Sequence, residues 1–306
     1  MFWDKWFEPK PFNSGFLPEK DGHKVYFAEF GNPHGKPVLV FNGGPGGSFH
    51  PYRAKYANLC KYRVIMFDQR GCGRSEPSGK VENNTTQDLL NDTTRLVNHL
   101  KINQKIILWG ASWGSTLALL WAEQNPEKTD SLLLSQVFLA NKEHRDWKFD
   151  GLGHIYPEFV TEMARKSKGN IIGYNNKLIQ SDNINDQLYA VNHYGWYERI
   201  CGSQAPSFAD FKELPADELA SQRIYMHYAA HNFFLGDDDI LDNISKISGI
   251  KTLILHSRLD LVCPVKAAYD LQQKLDNARL IVLPAFGHVN PLMRKAIKKE
   301  IGEILK

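Results

Sequence analysis

The segment Gly110-Ala111-Ser112-Trp113-Gly114 constrains this chain more than any other. Before it, Lys105-Ile106-Ile107-Leu108-Trp109 is a short apolar run that predicts a buried strand. After it, the stretch from Ser115 to Ala122 predicts a packed helix. A serine at G-x-S-x-G spacing between strand and helix sits on a turn sharp enough to push its hydroxyl outward. The helix start behind it places partial positive charge where an anion would develop. A plain turn serine is the competing reading, and the strand–turn–helix context favours an activated nucleophile.

The rest of the chain supplies a frame for such a turn. Val25–Phe30 alternates as an edge strand would, while Pro37–Phe41 and Arg63–Phe67 are continuous apolar runs. Gln87 to Leu100 carries apolar residues at helical spacing, and Ser131–Ser135 reads as another strand. Strands separated by helices predict an α/β fold, a mostly parallel central sheet with helices on both faces. From about Asn141 to Ile240 the chain is rich in aromatic, Asn and charged residues without short Val/Ile/Leu runs, which predicts a mainly helical insertion. The earlier rhythm returns with strand Lys251–His256, a helix from Val265 to about Leu275, strand Arg279–Leu283 and a last helix from about Pro291 to Leu305. The expected organisation is a core of residues 1–140 and 241–306 with a helical cap at 141–240, for which 306 residues suffice.

A serine hydroxyl is a weak nucleophile at neutral pH and needs a base, itself oriented by an acid. Asp260 follows strand 251–256 in the loop Ser257-Arg258-Leu259-Asp260. His288 follows strand 279–283 in the loop Pro284-Ala285-Phe286-Gly287-His288. Both positions lie beyond the carboxyl ends of strands, where open α/β sheets gather functional groups. Alone, either residue is more often a surface or capping residue. Together, and in the chain order Ser, Asp, His, they match the α/β-hydrolase fold.

The tetrahedral intermediate also needs hydrogen-bond donors for its negative charge. Asn42-Gly43-Gly44-Pro45-Gly46-Gly47 directly follows strand 37–41 and lets backbone N–H groups approach a ligand. The N–H groups of Gly44 and Trp113 are the expected oxyanion donors. A phosphate loop is disfavoured, since no Lys-Ser/Thr follows and Pro45 lacks an N–H. Asp68-Gln69-Arg70-Gly71-Cys72-Gly73-Arg74-Ser75 is expected to support the site through paired contacts, not to do chemistry.

Composition removes several function classes. With 37 basic and 34 acidic residues, the net charge of +3 is too small to argue for nucleic acid or an acidic membrane surface. No stretch has the length of a membrane span, and the first ten residues lack a signal-like apolar run, so a cytoplasmic setting is expected. Cys60, Cys72, Cys201 and Cys263 form no C-x-x-C pair and indicate no metal. His227 and His231 have helical spacing, but Tyr228 stands where a zinc peptidase needs glutamate, so packing is the expected role. Asp237-Asp238-Asp239 reads as a helix start. Tyr194, Trp196 and Tyr197 are candidates either for cap core or for the wall of a substrate pocket.

With these residues in view, the chain resembles the proline iminopeptidases, serine peptidases of the α/β-hydrolase fold. The resemblance runs from about Gly31 to the final helix. It rests on residues 42–47, Phe67 to Ser75, Asn84-Thr85-Thr86, Gly110 to Leu119, Arg258 to Pro264 and Gly287-His288. It implies removal of N-terminal proline from short peptides or proline amides through an acyl-enzyme, without metal or cofactor. Ser112 is then nucleophile, His288 base and later acid, and Asp260 the orienting carboxylate. Glu198, within Trp196-Tyr197-Glu198, matches one of two cap glutamates that in this family hold the substrate's amino terminus. At the second position the chain has Ala229, and the family's usual His before Gly-Gly-Pro-Gly is Asn42. Glu162 and Glu218 are the acids considered as replacements.

Two alternatives stay open. Ala229 and Asn42 allow a hydrolase of other small amides or esters, and a ligand-binding relative without catalysis is the reading from a different class. Epoxide hydrolases and dehalogenases use an aspartate at the position of Ser112, which disfavours them.

Overall fold

The computed structural model describes residues 8–203 and 211–304, with the side chains of 196–203 and 303–304 outside that description. The chain opens with strands β1 (Asn13–Phe16), β2 (Tyr26–Gly31), β3 (Lys36–Phe41) and β4 (Tyr62–Phe67), followed by helix α1 (Thr86–His99). Strand β5 (Ile106–Ala111), helix α2 (Trp113–Gln124) and strand β6 (Thr129–Ser135) come next. The chain closes with β7 (Lys251–Leu259), α10 (Val265–Gln273), β8 (Ala278–Phe286) and α11 (Pro291–Ile304). Between β6 and β7 lie α3 (Lys142–Trp147), α4 (Asp150–Gly153), α5 (Pro157–Ser167), α6 (Ile171–Gln180), α7 (Ile184–Ser203), α8 (Ala216–Ala230) and α9 (Asp239–Asn243). Among the described residues there, no strand occurs.

The eight strands form one sheet in the order β1-β2-β4-β3-β5-β6-β7-β8. Pairing is antiparallel at β1–β2 and β2–β4 and parallel from β4 to β8. This is the α/β-hydrolase architecture. Successive residues of each central strand face opposite layers. Leu39, Ile65 and Leu108 join one core with α1, α2 and α10, whereas Val38, Val64 and Ile107 join the other with α11. Both faces are therefore covered, which is why these strands read as unbroken apolar runs and not as alternating ones.

The expected edge strand at 25–30 is interior. Strand β2 lies between β1 and β4, and its four central residues are all buried. Glu29 sits there because the Arg63 guanidinium and the Asn13 amide satisfy it. The true edge, β1, has the sequence Asn-Ser-Gly-Phe, too short and too polar to display a period. Helix α1 begins with a capping box, Thr85 and Asp88 bonding one another's backbone N–H. On α11, Met293, Ile297 and Ile301 are buried, each contributing about 1.5–3 kcal/mol while the lysines between them stay wet.

Helices α4 to α8 have a separate apolar cluster, with Leu152, Ile179, Val191 and Met226 at its centre. Helix α8 is tied to the sheet side of the molecule. The Tyr228 hydroxyl donates to Asn84 Oδ1 at 2.9 Å, and the Thr86 hydroxyl donates to the carbonyl of Phe233 just beyond α8. The Asn84-Thr85-Thr86 motif thus anchors α8 and starts α1.

Candidate active site

The chain reverses its direction of growth across the sheet at β3, whose neighbours are β4 on one side and β5 on the other. The loops after β3 and β5 diverge there and leave a crevice, the usual ligand position in open α/β sheets. Ser112 follows β5 at this point. Its φ of 57° and ψ of −128° are a conformation that costs a non-glycine residue about 1–3 kcal/mol. Surrounding contacts hold it there. Ser112 N–H donates to the Ser135 carbonyl at 3.0 Å, and its own carbonyl accepts from Ser115 N–H at 2.8 Å and from the Ser115 hydroxyl at 2.6 Å.

The two glycines of the motif are required by close approach. A Cβ on Gly110 would lie 2.2 Å from the carbonyl oxygen of Gly114, and one on Gly114 would lie 2.2 Å from that of Phe41. The strand, the turn and the helix therefore cross at backbone contact. The Ser112 hydroxyl makes no capping bond to α2. The first N–H groups of α2, starting at Trp113, have no acceptor within the helix.

Strands β7 and β8 run further than their apolar cores suggest, to Leu259 and Phe286. Asp260 therefore directly follows its strand, and His288 comes two residues after its own. His288 Nδ1 and Asp260 Oδ2 are 2.8 Å apart. Asp260 Oδ1 accepts from the N–H groups of Val262 and Cys263, each at 3.0 Å. Burial pushes the Asp260 carboxyl up, but His288, His256 and the Cys263 N–H outweigh it and hold the group below its ordinary value. It is an anion that accepts the Nδ1 proton of His288, which leaves Nε2 unprotonated in the neutral ring.

Ser112, Gly44 and His288 line one cavity of about 900 Å³. Phe138, Tyr194, Tyr225 and Phe233 form apolar wall, and Ala229 faces the same space from α8. Two ion pairs stand on the wall, Lys142 with Asp146 and Arg145 with Asp237. Asp150 is the third cavity acid, while Glu162 and Glu218 are absent from this wall. Trp196, Tyr197 and Glu198 belong to α7, with side chains outside the described residues. His227 and His231 bond backbone carbonyls of Asn84 and His227, and among the described residues no group of metal-ligating side chains occurs.

Several contributors carried no sequence signal. Gln136 follows β6, and its amide donates to the His288 carbonyl, fixing the loop from behind. Asn290 caps α11 and bonds the Gly287 carbonyl at 2.9 Å. His144 lies on the cavity wall, where burial lowers its pKa to about 4. The Asp68 motif makes the paired contacts expected of it. Asp68 accepts from the N–H groups of Phe49 at 2.7 Å and Arg74 at 3.0 Å, and Arg70 is buried against Asp92 at 2.6 Å.

A profile of the α/β hydrolase fold matches residues 36–171. A proline iminopeptidase of Arabidopsis thaliana is 36% identical over 288 residues, covering 91% of this chain and 76% of the relative. A proline iminopeptidase of Neisseria gonorrhoeae is 35% identical over 318 residues, covering 97% of each chain. The chain belongs to the proline iminopeptidase family. The crystal structure of a proline iminopeptidase from Mycobacterium smegmatis superposes with a TM-score of 0.66 at 21% identity, over 95% of this chain and 98% of the other. That likeness is one of fold. Identity above one third along nearly the whole length carries the family assignment.

Proposed function

We propose that this chain is a serine exopeptidase that releases N-terminal proline from short peptides through an acyl-enzyme. The observation that carries the reading is the shared cavity of Ser112 and His288, with His288 held by Asp260 at 2.8 Å, in a chain of this family. His288 Nε2 takes the Ser112 proton as the serine oxygen attacks the prolyl carbonyl. The oxyanion is received by the N–H groups of Gly44 and Trp113, typically worth about 2.7–4 kcal/mol for each donor. His288 then gives its proton to the departing amine. Water, deprotonated by the same imidazole, releases proline from Ser112.

Residues 141–240 act as the cap, with residues 1–140 and 241–306 as the hydrolase core. Glu198 receives the substrate's imino nitrogen, with Trp196 and Tyr197 beside it. In support, Glu198 is one helical turn beyond Tyr194, which lines the cavity. The setting is cytoplasmic. In support, Cys60 and Cys72 are free thiols among the described residues, as suits a reducing compartment.

The test is a chromogenic proline anilide with the intact chain and Ser112→Ala. Hydrolysis by the first and not the second is expected, and equal rates exclude the assignment. The second reading, a hydrolase of other small amides or esters, draws on Ala229 in the cavity wall. A panel of aminoacyl anilides and simple esters separates the two by which substrate has the highest kcat/KM.

A further inference from the structure

We infer that Gln69 is a positioning residue that locks the two oxyanion-donor segments to one another, an inference resting on the donor assignment to Gly44 and Trp113. Gln69 follows β4 and is 2% exposed. At one end of its amide, Oε1 accepts the indole N–H of Trp113 at 3.1 Å. At the other end, Nε2 donates to the Asn42 carbonyl at 3.1 Å. Trp113 opens α2 and Asn42 leaves β3, so the amide spans the crevice floor between the two loops. Among the described residues no other side chain hydrogen-bonds both segments.

The restraint reaches the donors through rigid groups. The Asn42 carbonyl and the Gly43 N–H belong to one planar unit, so fixing the oxygen fixes the plane from which Gly43–Gly44 departs. A Cβ on Gly43 would lie 3.5 Å from Ser112 Cβ, which puts this peptide directly beside the serine. On the other side, the residue whose indole is held is the one whose N–H is the second donor. Tyr228 and Phe233 pack on the indole at ring-centroid distances of 5.4 and 5.6 Å, but ring contacts do not direct its N–H. The Asn42 side chain is occupied elsewhere, by the Phe67 carbonyl and Arg53. Gln69 is not part of the cavity wall, so it acts through the donors.

The clamp needs one donor and one acceptor at opposite ends of a buried group, which a glutamine amide supplies. Ionised glutamate keeps the acceptor and loses the donor. Methionine keeps the length and loses both. Oxyanion donors must lie about 2.7–3.1 Å from the developing charge, so a small loss of register falls on the chemical step.

The experiment compares the wild-type chain, Gln69→Met and Gln69→Glu by thermal unfolding, by kcat and KM on proline p-nitroanilide, and by the rate at which a fluorophosphonate labels Ser112. Labelling draws on the anion donors without recognising proline. For folded Gln69→Met we expect labelling rate and kcat each to fall at least about tenfold, with KM within about threefold. For Gln69→Glu, kcat relative to wild type at the same pH rises as pH is lowered, because a protonated carboxyl regains the bond to Asn42; the ratio cancels any pH dependence the two proteins share. A folded Gln69→Met that labels within twofold of wild type overturns the clamp. If that variant does not fold, a pH-independent ratio of labelling rates for Gln69→Glu overturns it instead. A wild type that labels at Ser112 but leaves the anilide intact removes the proline assignment and leaves the clamp to be judged by labelling.

Discussion

Asp260 grips His288 at 2.8 Å with one carboxylate oxygen and is itself gripped at the other by the N–H groups of Val262 and Cys263. The imidazole therefore has a fixed tautomer as well as a fixed place. Asp260→Asn keeps an oxygen for the two N–H groups, so the chain should fold. The new amide faces Nδ1 with a donor and moves the imidazole proton to Nε2, where it cannot act as base. We expect kcat/KM on proline p-nitroanilide to fall about 10⁴-fold, checked beside circular dichroism spectra that match the wild type. A loss of less than tenfold contradicts the role given to Asp260.

His144 predicts an acid limb of stability. Burial lowers its pKa to about 4, while an unfolded histidine titrates near about 6.5. Between these values the unfolded chain binds a proton that the native chain refuses. Stability is thus fully present above about pH 6.5 and falls as the pH drops toward 4, by at most about 3 kcal/mol from this residue. His144→Asn retains an acceptor for the Leu139 N–H, which His144 Nδ1 now accepts at 3.1 Å. Melting temperatures of the variant should decline less steeply than wild type between pH 7 and 4.5. Parallel curves contradict the prediction.

Glu123 works in the opposite sense. It is buried on α2, Oε1 has no hydrogen-bond partner among the described residues, and burial pushes its pKa up to about 8. The folded chain holds this proton more tightly than the unfolded one. Its contribution is fully present below about pH 4.5 and is lost as the pH rises through 8. Glu123→Gln should therefore exceed wild type in stability above pH 8 by a few kcal/mol, on the order of 2–4. By pH 5 the two should converge in urea unfolding. A difference that is constant with pH counts against a protonated Glu123.

Ala229 lines the cavity on α8, at the position to which the sequence resemblance assigns a second glutamate, so a carboxylate can be placed there by substitution. In a partly desolvated site a carboxylate near an ammonium is worth several-fold in binding or more. Ala229→Glu should lower KM for proline p-nitroanilide about threefold to thirtyfold and leave N-acetyl-proline p-nitroanilide unchanged. Equal effects on both substrates indicate general repacking instead.

Much of the sheet was legible because its central strands are buried on both sides and read as apolar runs. Asp260 and His288 were legible because each stands just past such a run. Their distance from the strand ends was not, since the polar pair Ser257-Arg258 and Pro284 interrupt the apolar runs while the pairing continues to Leu259 and Phe286. Strand β1 escaped notice for the same reason, and with it the interior place of β2. The contributions of Gln69, Gln136 and Asn290 depend on where a neutral amide meets a distant carbonyl. Sequence spacing holds no record of that geometry. The helices between β6 and β7 showed in composition alone, and their individual limits did not.

The most direct test is the intact mass of the chain after a fluorophosphonate, with the adduct mapped by peptide mass and proline p-nitroanilide hydrolysis followed in the same sample. One adduct on Ser112, with hydrolysis lost in proportion to labelling, is the predicted result. An unmodified Ser112 with full hydrolysis, or an adduct elsewhere that alone abolishes it, contradicts the account.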